Sequence, residues 1–158
     1  MASHLKSLSD YKSTGFIDIS NKKFGIVLSE YNEQVTEPLF KGVEETLLKE
    51  GAKHENIIKK YVPGAYELSY GAQLMAQADN IDAVICLGCV IQGETRHFDF
   101  ICQAISQGIT TVSLKYDKPV IFGVLTPDNL QQAQDRAGGK HGNKGVEAAV
   151  AAIKMLSF

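Results

Sequence analysis

The stretch "DAVICLGCVIQGETRHFDF", Asp82–Phe100, decides how the chain is built. After Asp82 its residues are apolar or small as far as Ile91, the pattern of a strand buried on both faces of a parallel sheet. Gln92 and Gly93 break the run. Glu94, Thr95, Arg96 and His97 follow before a helical pattern opens near Phe98. A buried strand that ends in a turn displaying polar groups marks the edge where open α/β sheets place their ligands.

Working outward, "KFGIVLS" (Lys23–Ser29) and "KPVIFGVLT" (Lys118–Thr126) are apolar runs of the same kind. "NIIKKYV" (Asn56–Val62) gives a shorter strand before Pro63. Helical spacing predicts helices over Val35–Glu50, stopped by Gly51, over Tyr66–Ala78, over about Phe98–Gln107, closed by Gly108, and over Lys144–Leu156. Strands alternating with helices specify a parallel sheet covered on both sides through right-handed crossovers. "GFIDIS" (Gly15–Ser20) alternates like a strand but has no partner close in sequence, so it is expected to pair elsewhere, on a neighbouring subunit.

A chain of 158 residues with 44% hydrophobic and 22% charged content suits one compact domain, assigned here to residues 15–158 behind a flexible arm of residues 1–14. The formal charge of −2 and the absence of a Lys/Arg run argue against nucleic acid, and no run approaches the roughly 20 apolar residues of a membrane span. A small-molecule partner is left. The N-terminus carries no apolar signal region, which places the protein in the cytoplasm. Cys86, Cys89 and Cys102 then read as buried thiols. The "CLGC" spacing points its two sulfurs to opposite faces of a strand, and no second such pair completes a metal site.

The carboxyl ends of the strands carry "SEYN", "VPGAYE", "GCVIQGETRH" and "LTPDN". Tyr31, Tyr66 and Phe122 offer flat faces to a planar ring, and the backbone around Ala65 and from Cys89 through Val90 to Ile91 offers directional donors and acceptors. "GGKHGNKG" fails as a phosphate-binding P-loop, because Gly145 stands where Ser or Thr would hold magnesium, and no G-x-G-x-x-G follows the first strand. The turn at Gly93 nevertheless presents backbone N–H groups at Glu94 and Thr95 to an anion, with Arg136 and Lys144 as sources of positive charge.

In "VPGAYE", "GCVIQGETRHFDF", "VIFGVLT" and "DRAGGKHGNKG", taken in that order, the chain resembles the lumazine synthase family over about Phe16–Met155. The resemblance implies a flavodoxin-like, three-layer α/β/α fold with a four-stranded parallel sheet, assembled into pentamers or larger shells with each active site between two subunits. It implies condensation of 5-amino-6-ribitylaminouracil with 3,4-dihydroxy-2-butanone 4-phosphate to 6,7-dimethyl-8-ribityllumazine, without cofactor or metal and with riboflavin synthase as candidate protein partner.

By the same resemblance Tyr31 stacks on the pyrimidine, Ala65, Tyr66 and Glu67 line the ring and ribityl pocket, and Cys89, Val90 and Ile91 meet the pyrimidine edge. Glu94 and Thr95 hold the phosphate, Arg136 neutralises it, Phe122 closes the pocket from the neighbouring subunit, and His97 moves protons. Tyr31 departs from the family's usual Phe or Trp, and Glu30, Glu94, Gly139 and His141 also depart from its pattern. A His suits the role, since a pKa near about 6.5 lets it give and take protons at neutral pH. Two other readings use the same scaffold: an archaeal-type riboflavin synthase, and a non-catalytic shell or flavin-binding protein, which would have no need of His97 and Arg136.

Overall fold

Four strands form one parallel sheet in the computed structural model, which describes residues 7–158. They are β1 (Phe24–Ser29), β2 (Ile57–Val62), β3 (Ala83–Cys89) and β4 (Val120–Leu125), in the order β2-β1-β3-β4. Helices α1 (Glu33–Lys49), α2 (Leu68–Gln77) and α3 (His97–Tyr116) make the crossovers, and α5 (Lys144–Met155) ends the fold. The alternation of side chains along each strand sorts the core into two layers. Phe24, Ile26 and Leu28 join Ile85, Leu87 and Cys89 under α1 and α5, while Val27, Val84 and Cys86 pack beneath α2 and α3. The result is the expected three-layer α/β/α arrangement.

The central strands β1 and β3 are buried at every position, as their unbroken apolar runs require. Edge strand β2 is only partly covered, which explains why Lys59 and Lys60 are tolerated in it. Lys59 lies 4.0 Å from the centre of the Phe40 ring and pairs with Glu37 at 2.8 Å.

Helix α3 differs from its sequence-based expectation. It does not close at Gly108 but runs on to Tyr116 and stops where Asp117 turns left-handed. Gly108 serves a crossing instead of a cap. A Cβ at that position would lie 2.2 Å from Ser69 Oγ and 2.7 Å from Ser69 Cβ, so only glycine lets α3 approach α2 this closely.

Between β4 and α5 the chain forms a short helix, α4 (Leu130–Asp135), and a small antiparallel pair, β5 (Ala137–Gly139) and β6 (Gly142–Asn143). Among the described residues, Gly15–Ser20 pairs with no strand. Ile19 is fully buried there, with Phe16 and Ile17 packed at the margin of the α1/α5 layer. Of the arm assigned to residues 1–14, residues 1–6 fall outside the described region. From Ser7 onward the arm follows the β5–β6 pair and the end of α1, where Tyr11 and Ser13 donate to Glu50 at 3.0 and 2.9 Å.

Cys86, Cys89 and Cys102 are all free, the first two buried on opposite faces of β3. Burial pushes the Cys86 thiol up to about 12 and that of Cys89 up to about 11. Among the described residues, no helix is long and apolar enough to cross a membrane.

Candidate active site

Hydrogen bonds join the four strand ends into a continuous rim. Glu30 and Tyr31, just past β1, donate their N–H groups to the carbonyls of Val62 and Pro63 past β2, at 2.9 and 3.2 Å. Asn32 reaches the other way and donates its side-chain amide to the Cys89 carbonyl at 2.9 Å. Past β3, Val90 and Gln92 donate to the carbonyls of Leu125 and Pro127 at 2.8 and 3.0 Å. The strand order reverses direction between β1 and β3, and at such a point a crevice opens beyond the strand ends.

The rim gathers most of the residues singled out from sequence. Tyr31 is 74% exposed, although large aromatic side chains are ordinarily well covered. Tyr66 stands 58% exposed on a single turn of 3-10 helix, Ala65–Glu67, beside buried Ala65. The Glu67 carboxylate accepts the Gly64 N–H at 3.0 Å, which fixes the turn. Backbone accounting narrows what the β3 end can offer a ligand. The Cys89 carbonyl is engaged by Asn32, and the Val90 and Gln92 N–H groups are engaged by the β4 tail. Among the described residues, the Ile91 N–H is therefore the donor left without a partner between Cys89 and Gln92, flanked by the Val90 and Ile91 carbonyls.

His97 is the first residue of α3, with Arg96 at the cap position, so Glu94 and Thr95 lie in the turn before the helix. All four side chains are exposed. The His97 N–H lies 3.4 Å from Thr95 Oγ1, while Arg96 is drawn aside toward Asp99 at 3.7 Å. This leaves an exposed imidazole at a helix start beside a hydroxyl.

Phe122, Arg136 and Lys144 lie apart from that group. Phe122 is half-buried in the middle of edge strand β4, against the α2/α3 layer. Arg136 and Lys144 line a separate cavity of 270 Å³ with Leu8, Val124, Leu125, Thr126, Pro127 and Gln132. Arg136 caps the end of α4 and sends its guanidinium toward the Gln132 carbonyl at 3.4 Å. Lys144 opens α5 and pairs with Glu147. The Lys144 N–H closes on the Arg136 carbonyl at 2.8 Å, so the β5–β6 pair holds the two cations side by side. Arg136 and Lys144 thus share one cavity with the apolar side chains of Leu8, Val124 and Leu125.

Three contributors escaped the sequence reading. Asn32 sits in the left-handed region, φ 63°, where Asn is tolerated better than most residues. Asn143 caps α5 by accepting the Gly145 N–H at 2.7 Å, a signal legible as Asn directly before "KGVEAAV". Leu8 had no signal at all. Among the described residues, no group of three or more His, Cys, Asp or Glu side chains could hold a metal ion.

Residues 21–158 match the family described as 6,7-dimethyl-8-ribityllumazine synthase. A protein of that name from Cytophaga hutchinsonii is 62% identical over 157 residues, covering 99% of this chain and 98% of the relative. Another from Parabacteroides distasonis is 51% identical over 100% of this chain and 99% of its own length. One from Flavobacterium johnsoniae is 52% identical over 98% of this chain and 82% of its own. With the family match spanning residues 21–158 and relatives matching along nearly the whole chain, the chain belongs to the 6,7-dimethyl-8-ribityllumazine synthase family.

Proposed function

We propose that the rim of the sheet is where this chain performs the family's reaction, the penultimate step of riboflavin biosynthesis. It condenses 5-amino-6-(D-ribitylamino)uracil with 3,4-dihydroxy-2-butanone 4-phosphate, giving 6,7-dimethyl-8-ribityllumazine, phosphate and water. The observation that carries the assignment is the Ile91 N–H, without a partner among the described residues and flanked by the Val90 and Ile91 carbonyls, at the same end of the sheet as the exposed rings of Tyr31 and Tyr66. A uracil edge alternates C=O and N–H groups, and this backbone segment offers the complementary set. The tyrosines supply stacking faces, and Ala65, Glu67 and Cys89 complete the wall.

Both substrates already carry mutually reactive amine and ketone groups, so holding them in register supplies much of the acceleration. Imine formation, phosphate departure and ring closure each move a proton, and His97 at the crevice mouth is placed to carry it. Glu94 and Thr95 offer N–H groups to the phosphate, while Arg136 and Lys144 balance its charge.

Within one chain no residue of the rim group at Tyr31, Tyr66 or His97 lines the cavity of Arg136 and Lys144. A ring of subunits resolves this separation, because in a cyclic assembly each interface joins two different faces. We assign Phe122, Arg136 and Lys144 to the neighbour's site and the assembly to a pentamer, with Gly15–Ser20 pairing across the interface. Three unpaired cysteines suit the reducing cytoplasm.

Mixed rings test the shared site. His97→Ala slows turnover without abolishing it, since proximity remains, and Arg136→Ala weakens the phosphate substrate. Chains of the two variants are unfolded together in equal amounts and refolded. Random assembly places an intact His97 against an intact Arg136 at about a quarter of interfaces, so about a quarter of wild-type activity returns. Activity at the parental average, with mixed rings confirmed by mass, overturns the assignment.

A further inference from the structure

The cavity of Arg136 and Lys144 has one wall that comes from far away in sequence. Leu8 lines it opposite the β4 end. The segment carrying Leu8 is held by its backbone: the Leu8 N–H donates to the His141 carbonyl at 2.9 Å, and Ser9 Oγ accepts the Asn143 N–H at 3.0 Å. Gly142 lies directly beneath. At φ +83° it takes the left-handed conformation, and a Cβ there would stand 2.4 Å from Ser7 Oγ and 2.8 Å from the backbone nitrogens of both Leu8 and Ser9. Farther along, Tyr11 bonds to Glu50 and lies under Lys49, whose Nζ is 4.9 Å from the ring centre. The segment from Ser7 to Ser13 is thus a strap tied at both ends.

The strap lands on the connector between the two cations. His141, its first partner, donates its N–H to the carbonyl of Asp135, the residue before Arg136, at 2.8 Å. Asn143, its second partner, is the residue before Lys144 and caps the helix that Lys144 opens. Leu8 adds an apolar surface to a cavity whose charged groups attract an oxyanion, and excluding water there strengthens each charge-assisted bond.

We propose that Leu8 is a specificity-determining residue for the phosphate-bearing substrate, acting as the water-excluding wall of the anion cavity. The proposal rests on the assignment of Arg136 to the phosphate. Leu8→Ala is expected to raise KM for the butanone phosphate about five- to tenfold, the loss that follows when water reaches one side of a charge-assisted contact. KM for the ribitylaminouracil and kcat should stay within about twofold, because that substrate carries no phosphate. Inorganic phosphate, as a competitive inhibitor, should weaken by the same factor as the butanone phosphate. Leu8→Met, which keeps the apolar volume, should restore both values.

Gly142→Ala pushes on the strap from below and should reproduce the Leu8→Ala profile. Arg136→Lys in the same assay separates the two assignments. If Arg136→Lys selectively weakens phosphate and Leu8→Ala does not, the role of Leu8 is wrong and that of Arg136 stands. If neither does, the anion cavity itself is misassigned. If Leu8→Ala weakens both substrates alike, the strap has only a structural role.

Discussion

Asn143 joins α5, α1 and the strap through three separate bonds, and removing its side chain breaks two of them. Its Oδ1 accepts the Gly145 N–H at 2.7 Å, and its Nδ2 donates to the Pro38 carbonyl of α1 at 2.9 Å. The bond from its backbone N–H to Ser9 survives substitution. Loss of an Asn cap costs about 1 kcal/mol. Loss of a neutral, partly buried hydrogen bond costs about another 1 kcal/mol. Asn143→Ala should therefore lower unfolding stability by about 2 kcal/mol, while Asn143→Ser keeps a capping oxygen and should lose only about half of that.

Urea unfolding followed by far-UV circular dichroism measures this, with protomer concentration fixed because assembly adds to apparent stability. The Ala variant should also raise KM for the butanone phosphate, since the helix start that positions Lys144 is loosened. A Ser variant as unstable as Ala would show that the cap contributes nothing. An Ala variant as stable as wild type would refute both bond assignments.

Two further outcomes follow from the close packing. Gly108→Ala should destabilise by about 1–2 kcal/mol despite the better helix propensity of Ala, because overpacking against Ser69 outweighs the gain. The swapped pair Ser69→Gly with Gly108→Ala should recover most of the loss in urea melts, and failure to do so would place the strain elsewhere. Among the described residues Ser69 Oγ has no hydrogen-bond partner, so Ser69→Ala alone should not destabilise. As for the cysteines, burial raises Cys86, Cys89 and Cys102 alike, which keeps each protonated until the pH climbs past its raised value. Thiol reagents near neutral pH should label them slowly in the folded protein and fast in urea, and rapid labelling of Cys89 in the native state would contradict its burial.

The strands β1, β3 and β4 were legible because each carries an unbroken apolar run of strand length, and their alternation with helical patterns marks a parallel sheet covered on both faces. Gly108 misled for a physical reason. A glycine that ends a helix and one that admits a neighbouring helix look identical in sequence, and only the position of Ser69 separates them. The β5–β6 pair was too short to leave a period, and its many glycines read as a loop. Tyr31, Tyr66 and His97 could be placed just past the strand ends because those ends can be located from the runs before them. Leu8 was not, because its role depends on where a segment far along the chain folds back.

The β5–β6 pair also constrains how the sequence can drift. Arg136 ends one helix, Lys144 begins the next, and the N–H of the second closes on the carbonyl of the first. A single inserted or deleted residue between them would break the register of the Ala137–Asn143 and Gly139–Gly142 pairs and the bond from the Lys144 N–H to the Arg136 carbonyl. Lys144 would then lose its tie to Arg136, although the Ala148, Ala149, Ala152 and Ile153 face of α5 could stay in the core. Changes of residue type are tolerable at exposed Lys140, but changes of length are not, so this span should keep a fixed residue count where the turn at Asp79–Asn80 is free to vary.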